Sequence, residues 1–101
     1  IGLGIETGYQ SPSTIERVYP NPSTDEFHIE FFLARKSNVE LRVIDSKGVV
    51  AKVLHSQILP EGNHTMKWDT SDRSAKKAGR GIYFIELITD DSRNIHKISL
   101  L

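Results

Sequence analysis

Histidines are the side chains of this sequence best suited to holding a metal ion or moving a proton. There are four of them: His28, His55, His64 and His96. No two stand four residues apart, so no pair matches the zinc-binding His-Glu-x-x-His spacing of a helix. The chain has no cysteine, which excludes disulfides and thiolate zinc sites. The sequence therefore predicts no metal site, with ligands that meet across neighbouring strands as the remaining alternative.

Two pairs of aspartates are the other candidate metal ligands, because clustered carboxylates can bind calcium. Asp69 and Asp72 form one pair, and Asp90 and Asp91 form the other. Both pairs lie in predicted turns, where an aspartate commonly accepts hydrogen bonds from its own backbone. The loop around Asp69 lacks the regularly spaced ligands of an EF-hand. We expect these aspartates to shape turns.

Catalytic and ligand-binding motifs are missing from the chain. It has no Gly-x-Ser-x-Gly elbow for a nucleophile, and the glycines at 79 and 81 precede no helical pattern that could cradle phosphate. Trp68 is the only tryptophan, and it alternates with Met66, which favours a core position over a sugar platform. The sequence predicts neither enzyme activity nor a cofactor.

The length and the net charge of the chain limit the classes of protein to which it can belong. The chain has 101 residues, which is typical of one domain. Thirteen basic and thirteen acidic residues cancel, so the basic excess of a nucleic-acid-binding protein is missing. The chain starts at Ile1 rather than at methionine, which suggests a fragment of a larger protein.

The elements that position these residues are strands. Apolar residues alternate with polar ones along most of the chain, as in Phe27, Ile29 and Phe31. Residues 1–14 contain three glycines and a proline without a period and are predicted to be a linker. Residues 15–101 predict an all-β, immunoglobulin-like antiparallel sandwich of about seven strands, with a small closed barrel as the alternative. The predicted strands are 15–19, 26–33, 39–45, 49–58, 64–69, 81–89 and 93–101, with a loop at 70–80.

Turn residues separate the strands. Hairpins are predicted at Asp45-Ser46-Lys47-Gly48, where Gly48 can take a positive φ, at residues 60–63 and at residues 90–92. Pro20 and Pro22 fix φ and lack N–H groups, which predicts a stiff corner that carries the chain from one sheet to the other. The charged side chains expected to protect sheet edges are Arg42, Lys52 and Lys97.

The order of these motifs resembles the C-terminal immunoglobulin-like domains of exported bacterial proteins. Two groups share it: the C-terminal sorting domains of the type IX (Por) secretion system of Bacteroidetes, and the Ig-like domain of the flagellar hook-capping protein. The likeness covers residues 18–101. The matching residues are Tyr19, Pro20, Asn21, Pro22, Asp45, Gly48, Gly62, Trp68, Asp69, Gly81, Tyr83, Lys97, Ile98, Leu100 and Leu101. The chain departs from the pattern at Arg80, where serine is usual, and in lacking a terminal lysine or arginine.

The resemblance implies a non-catalytic sorting module of a secreted or cell-surface protein. Its expected partner is the outer-membrane secretion machinery, reached through the periplasm, with attachment to surface lipopolysaccharide afterwards. The last strand, 93–101, is expected to offer an unpaired edge to a partner strand. The glycine-rich N-terminal arm suggests a strand-swapped homodimer. The alternative is an accessory spacer or a carbohydrate- or protein-binding domain of a secreted hydrolase.

Overall fold

A computed structural model describes residues 12–101 of the chain. The described part is all-β, with seven strands and no helix. The strands are β1 Thr14–Tyr19, β2 Phe27–Leu33, β3 Ser37–Asp45, β4 Val50–Leu59, β5 Gly62–Trp68, β6 Gly81–Ile88 and β7 Arg93–Leu100. Over this range no helix is long and apolar enough to cross a membrane. Most of the predicted linker, residues 1–14, lies outside the described residues.

The strands form two antiparallel sheets. One sheet has the order β1-β2-β5, and the other has the order β4-β3-β6-β7. The predicted immunoglobulin-like sandwich is confirmed, and the closed barrel is wrong. Each predicted strand differs from the observed one by only one or two residues at either end.

Apolar side chains at alternate positions of the strands fill the space between the sheets. Along β2, Phe27, Ile29, Phe31 and Leu33 are fully buried, while the residues between them are half-buried. Strands β3 and β6 contribute the facing layer of Val39, Leu41, Val43, Tyr83, Ile85 and Leu87. Burial of this apolar surface is the main force that holds the two sheets together.

The hairpin between β3 and β4 is confirmed. The Gly48 amide donates to the Asp45 carbonyl at 3.0 Å. The Asp45 carboxylate accepts the amides of Lys47 and Val49, each at 2.9 Å. Gly48 has a φ of +85°, in the region that favours glycine.

The predicted hairpin at residues 60–63 is wrong. This segment carries the chain between the sheets, because β4 lies in one sheet and β5 in the other. Strand β5 pairs with β2, where Met66 lies opposite Ile29 and Trp68 lies opposite Phe27. Pairing of these apolar side chains decided the partner of β5, and the turn residues alone could not show it.

The predicted change of sheet at Pro20 and Pro22 is also wrong. Strands β1 and β2 are neighbours in one sheet, and Val18 lies opposite Ile29. Both buried side chains belong to the same core layer, so the corner, residues 20–26, reverses the chain within that sheet. The Tyr19–Pro20 and Asn21–Pro22 peptide bonds are cis.

One of the expected edge-protecting charges is misplaced. Arg42 lies on β3, which has a neighbour on each side, so it protects no edge. It contacts Glu86 on β6 instead. Lys52 and Lys97 do lie on the edge strands β4 and β7.

The turn at Gly48 yields a test of backbone strain. Replacing Gly48 with alanine should lower the free energy of unfolding by about 1–2 kcal/mol, since a Cβ is strained in left-handed backbone. No atom lies within 4 Å of that Cβ, so the φ angle alone carries the cost. Gly79 is the matched control, because it has space for a Cβ and no positive φ. Urea unfolding should place Gly79→Ala within about 0.5 kcal/mol of the wild type, and equal losses in both variants would contradict this account.

Candidate interaction site at one end of the sandwich

Nearly all of the motif residues gather at one end of the sandwich, here called the motif end. It is the end where β1, β3, β5 and β7 finish and where β2, β4 and β6 begin. The residues found there are Tyr19, Pro20, Asn21, Pro22, Asp45, Gly48, Trp68, Asp69, Gly81, Tyr83, Lys97, Ile98, Leu100 and Leu101. Only Gly62 of the predicted set lies at the opposite end, where it starts β5 with a φ of +115°.

The corner after β1 is hydrogen-bonded to the outer edge of β7. The Asn21 side chain donates from Nδ2 to the Lys97 carbonyl at 3.2 Å and accepts the Ser99 amide on Oδ1 at 3.0 Å. The Ser23 amide donates to the Ser99 carbonyl at 3.2 Å, and the Leu101 amide donates to the Ser23 carbonyl at 2.9 Å. We call residues 21–23 the clasp.

The clasp acts as a short additional strand beside β7. Ser23 pairs in parallel with Leu100 through main-chain bonds. Pro22 has no N–H to donate, but the Asn21 carboxamide supplies both a donor and an acceptor in its place. The expectation that the last strand offers a free edge is therefore wrong for residues 97–101, since four of their outward main-chain groups are already bonded.

A second asparagine, near the start of β7, also joins this strand to the sheet that contains β1. The Asn94 Oδ1 atom accepts the Ile15 amide of β1 at 2.9 Å. Strand β7 is thus joined to the other sheet near both of its ends, through Asn94 at the start and the clasp at the finish. No motif marked Asn94 in the sequence, because its role depends on how the two sheets face each other.

Tyr19 anchors the start of the corner on the outer face of its sheet. Its ring stacks on His28 with centroids 5.3 Å apart, and the Arg17 guanidinium lies 4.4 Å from the ring centre. The Tyr19 hydroxyl donates to Glu30 at 2.7 Å, and this hydrogen bond raises the pKa of Tyr19. The bonds from Arg17 and Tyr19 in turn lower the pKa of Glu30.

Trp68 and Tyr83 hold the loop at residues 69–80. Trp68 is fully buried, stacked on Phe27 with centroids 5.8 Å apart and edge-on to Tyr83 at 5.4 Å. Its indole N–H donates to the Ser71 carbonyl at 2.9 Å, and the Tyr83 hydroxyl donates to the Gly79 carbonyl at 2.6 Å. The core position predicted for Trp68 is confirmed, and a fully buried ring cannot serve as a sugar platform.

The aspartates of this loop bond to its own backbone, as the sequence predicted. Asp69 accepts the Ser71 hydroxyl and amide, and these bonds lower its pKa. Asp72 accepts the amides of Lys76 and Ser74, with the same effect on its pKa. Their carboxylates are therefore used in shaping the loop.

The loop is also fastened to the corner. The Thr70 hydroxyl donates to the Asp25 carbonyl at 3.0 Å, and the Lys77 ammonium donates to the Thr24 carbonyl at 2.5 Å. The corner thus contacts β7 on one side and the loop on the other. These contacts make the motif end one connected unit rather than a set of independent turns.

The terminal residues divide between core and surface. Ile98 and Leu100 are buried, each about 1% exposed, whereas Lys97 is exposed and Leu101 is 58% exposed. Gly81 begins β6 directly opposite Leu100. This part of the last strand therefore contributes alternate side chains to the core and leaves the others at the surface.

Glu86 is a buried charge that the sequence analysis missed inside an apolar run. Its side chain is fully buried and bonded to Arg42 and to Arg93 of β7. Burial alone would raise the pKa of Glu86, but the hydrogen bonds and charges of the two arginines outweigh it and lower the pKa. Its partners become visible only when strand register is known, since Arg42 lies opposite Glu86.

The histidines are spread over the sandwich. His28 contacts the Glu26 carboxylate at 2.8 Å, and His64 contacts the Pro60 carbonyl at 2.8 Å while stacking on Phe31. His55 has a buried Nε2 atom with no protein partner among the described residues. Within residues 12–101, no three histidine, aspartate or glutamate side chains are grouped so that they could hold a metal ion.

The family of the chain follows from its sequence. A family model described as "Secretion system C-terminal sorting domain" matches residues 17–100. The chain belongs to this family. The match spans every strand except the first residues of β1, and it confirms the resemblance read from the motifs. Type IX sorting domains direct export across the outer membrane, so the carrier of this domain is destined for the cell surface or for secretion.

Solved structures share the fold. Dimeric latent PorU from Porphyromonas gingivalis superposes with a TM-score of 0.65 at 18% identity over 91% of this chain. PorZ, a surface component of the type IX secretion system of the same organism, superposes with a TM-score of 0.57 at 16% sequence identity over 84% of this chain. FlgD from P. aeruginosa superposes with a TM-score of 0.60 at 21% sequence identity. The superposition covers 88% of this chain and 66% of the FlgD chain. The sorting domain spans only 10% of the PorU chain and 11% of the PorZ chain. None of the curated proteins matches it in sequence.

The buried Glu86 leads to a test of pH dependence. Its pKa is lower in the folded protein than its ordinary value of 4.5. Its contribution to stability is therefore complete above pH 4.5 and is lost as the pH falls through the folded pKa. Replacing Glu86 with glutamine should cost about 1–2 kcal/mol at pH 7, where both arginines lose a charged partner. Urea unfolding between pH 7 and pH 3 should show this difference shrinking as the pH falls.

Glu61 supplies the control for that measurement, because it is an exposed carboxylate in the segment between β4 and β5. Glu61→Gln should change the free energy of unfolding by no more than about 0.5 kcal/mol. A Glu86→Gln deficit that stayed constant down to pH 3 would show that the glutamine perturbs packing, and that the charge of Glu86 contributes nothing.

Proposed function

We propose that this sorting domain is non-catalytic, that the type IX machinery reads it as a folded unit, and that its carrier is then attached to the cell surface. The observation that carries the proposal is the family match, which covers nearly the whole sandwich. Lipopolysaccharide is the proposed anchor. Any enzymatic activity belongs to the carrier protein to which this domain is joined, for which a secreted hydrolase is our suggestion.

The geometry of the motif end supports a role in recognition rather than in chemistry. Its polar groups are used to bond backbone: Asn21 bonds β7, Asp69 bonds its own loop, and Tyr83 bonds the Gly79 carbonyl. These bonds give the corner, the loop and the terminal strand one defined arrangement. A receptor can recognise such an arrangement without paying to order it first.

A carbohydrate-binding role has less support. Sugar-binding surfaces use exposed aromatic rings, and Trp68 is fully buried. Tyr19 is half-buried between Arg17 and His28, and Phe32 is half-buried. Tyr9, the remaining candidate, lies outside the described residues. The described residues therefore support the sorting role better than a carbohydrate-binding role.

A strand-swapped homodimer is a separate proposal. It depends on residues 1–14, most of which lie outside the described residues. Light scattering of the purified protein, with and without these residues, measures whether they are needed for association.

Export of a reporter tests the sorting function. Residues 12–101 should carry a fused reporter enzyme to the surface of a bacterium that has a type IX system. The fusion starts at residue 12 because the Ser13 hydroxyl accepts the Ala34 amide at 2.9 Å and so belongs to the fold. Whole-cell labelling and cell fractionation would locate the reporter.

The matched control is the same reporter without residues 97–101. It should stay in the periplasm, since the deletion removes Ile98 and Leu100 from the core as well as the exposed ends of the strand. Surface delivery of the shortened fusion at the level of the intact one would refute the sorting role. Co-migration of the surface reporter with lipopolysaccharide would test the proposed anchor separately.

A further inference from the structure

The terminal part of β7 is closed to strand addition. Partners that bind a sheet edge do so through unpaired main-chain N–H and C=O groups. From residue 97 onward, four such groups are bonded to the clasp: the Lys97 carbonyl, both groups of Ser99 and the Leu101 amide. A partner strand could add here only by displacing Asn21 and Ser23.

The side chains of the same segment remain accessible. Lys97 is exposed, Ser99 is half-buried, and Leu101 is 58% exposed. Ile98 and Leu100 are buried, and their packing fixes the position of the strand against the core. The clasp fixes the outer edge, so the accessible side chains are held in one geometry from both sides.

We infer that Asn21 is a positioning residue for export, which holds Lys97–Leu101 in place so that the secretion machinery reads their side chains. The inference rests on the proposed sorting function. Its basis is the pair of bonds from one carboxamide to Lys97 and Ser99, together with the bonded main chain of Ser23. An edge segment without such bonds would be more mobile, and it would have to be ordered on binding.

The chemistry of the contact explains why this position needs an asparagine. Its Nδ2 donates to a carbonyl while its Oδ1 accepts an amide. An aspartate could only accept, and its charge would face the Lys97 carbonyl; an alanine could do neither. Asn21 is exposed, so either substitution leaves the core intact. Position 21 therefore allows the clasp to be weakened without making a cavity.

The test uses the full-length carrier protein in its own host. Asn21→Ala and Asn21→Asp should each reduce the exported fraction at least about fivefold, because aspartate loses the bond to Lys97 and alanine loses the bonds to both Lys97 and Ser99. Hydrogen exchange on the purified full-length Asn21→Ala variant should show the Ser99 amide exchanging at least about tenfold faster than in the wild type, because alanine removes the acceptor of that amide. Cell fractionation and mass spectrometry supply the two readouts.

Two controls separate positioning from general loss of stability. Asn63→Ala changes an exposed asparagine on β5 at the opposite end and should alter neither readout. Val39→Ala removes buried apolar atoms near the start of β3, away from the clasp, and should lower the unfolding midpoint more than Asn21→Ala does. Export of the Val39 variant should nevertheless exceed that of the Asn21 variants.

Three results would overturn the inference. They are normal export of Asn21→Ala, unchanged exchange at Ser99 in that variant, and a loss of export in Val39→Ala as large as in Asn21→Ala. A different result bears on the sorting function itself. If the carrier is exported normally after residues 12–101 are removed, the domain is not its sorting signal, and the role of Asn21 in export is refuted together with the sorting function.

Discussion

The motif end depends on one packing contact, the insertion of Trp68 between aromatic rings of both sheets. Phe27 stacks on it from its own sheet, and Tyr83 meets it edge-on from the other. Aromatic rings bury large areas and prefer such offset and edge arrangements. The contact fixes the distance between the sheets where the chain turns. The loop begins directly after Trp68 and the corner ends directly before Phe27, so each is joined to a side chain held by this contact.

Polar groups bond the main chain at the sheet edges, which the aromatic core does not cover. A sandwich has edges with unpaired main-chain groups, which invite association unless they are covered. At the seam between β1 and β7, two asparagine side chains and the main chain of Ser23 do the covering. These hydrogen bonds hold the last strand against the rest of the sandwich.

The sequence was sufficient for the elements but not for their partners. Alternation such as Phe27, Ile29 and Phe31 predicts strands because period two is a local property. The sheet to which β5 belongs was missed, since it depends on pairing with β2, more than thirty residues earlier in the chain. The motif residues were found by resemblance. Their grouping at one end, the bonds of Asn21 to β7 and the ion pairs of Glu86 all depend on register, which no single stretch of sequence reveals.

The clasp joins parts of the chain that are made at very different times. Asn21 and Ser99 are 78 positions apart. Contacts over such separations form late, because a long loop must close before they gain anything. A chain that emerges from its amino end can therefore build most of the sandwich yet leave the clasp unbonded until Ser99 arrives. A polypeptide without Ser99 and Leu101 would lack their bonds to Asn21 and Ser23, so a fully bonded clasp requires the chain through Leu101.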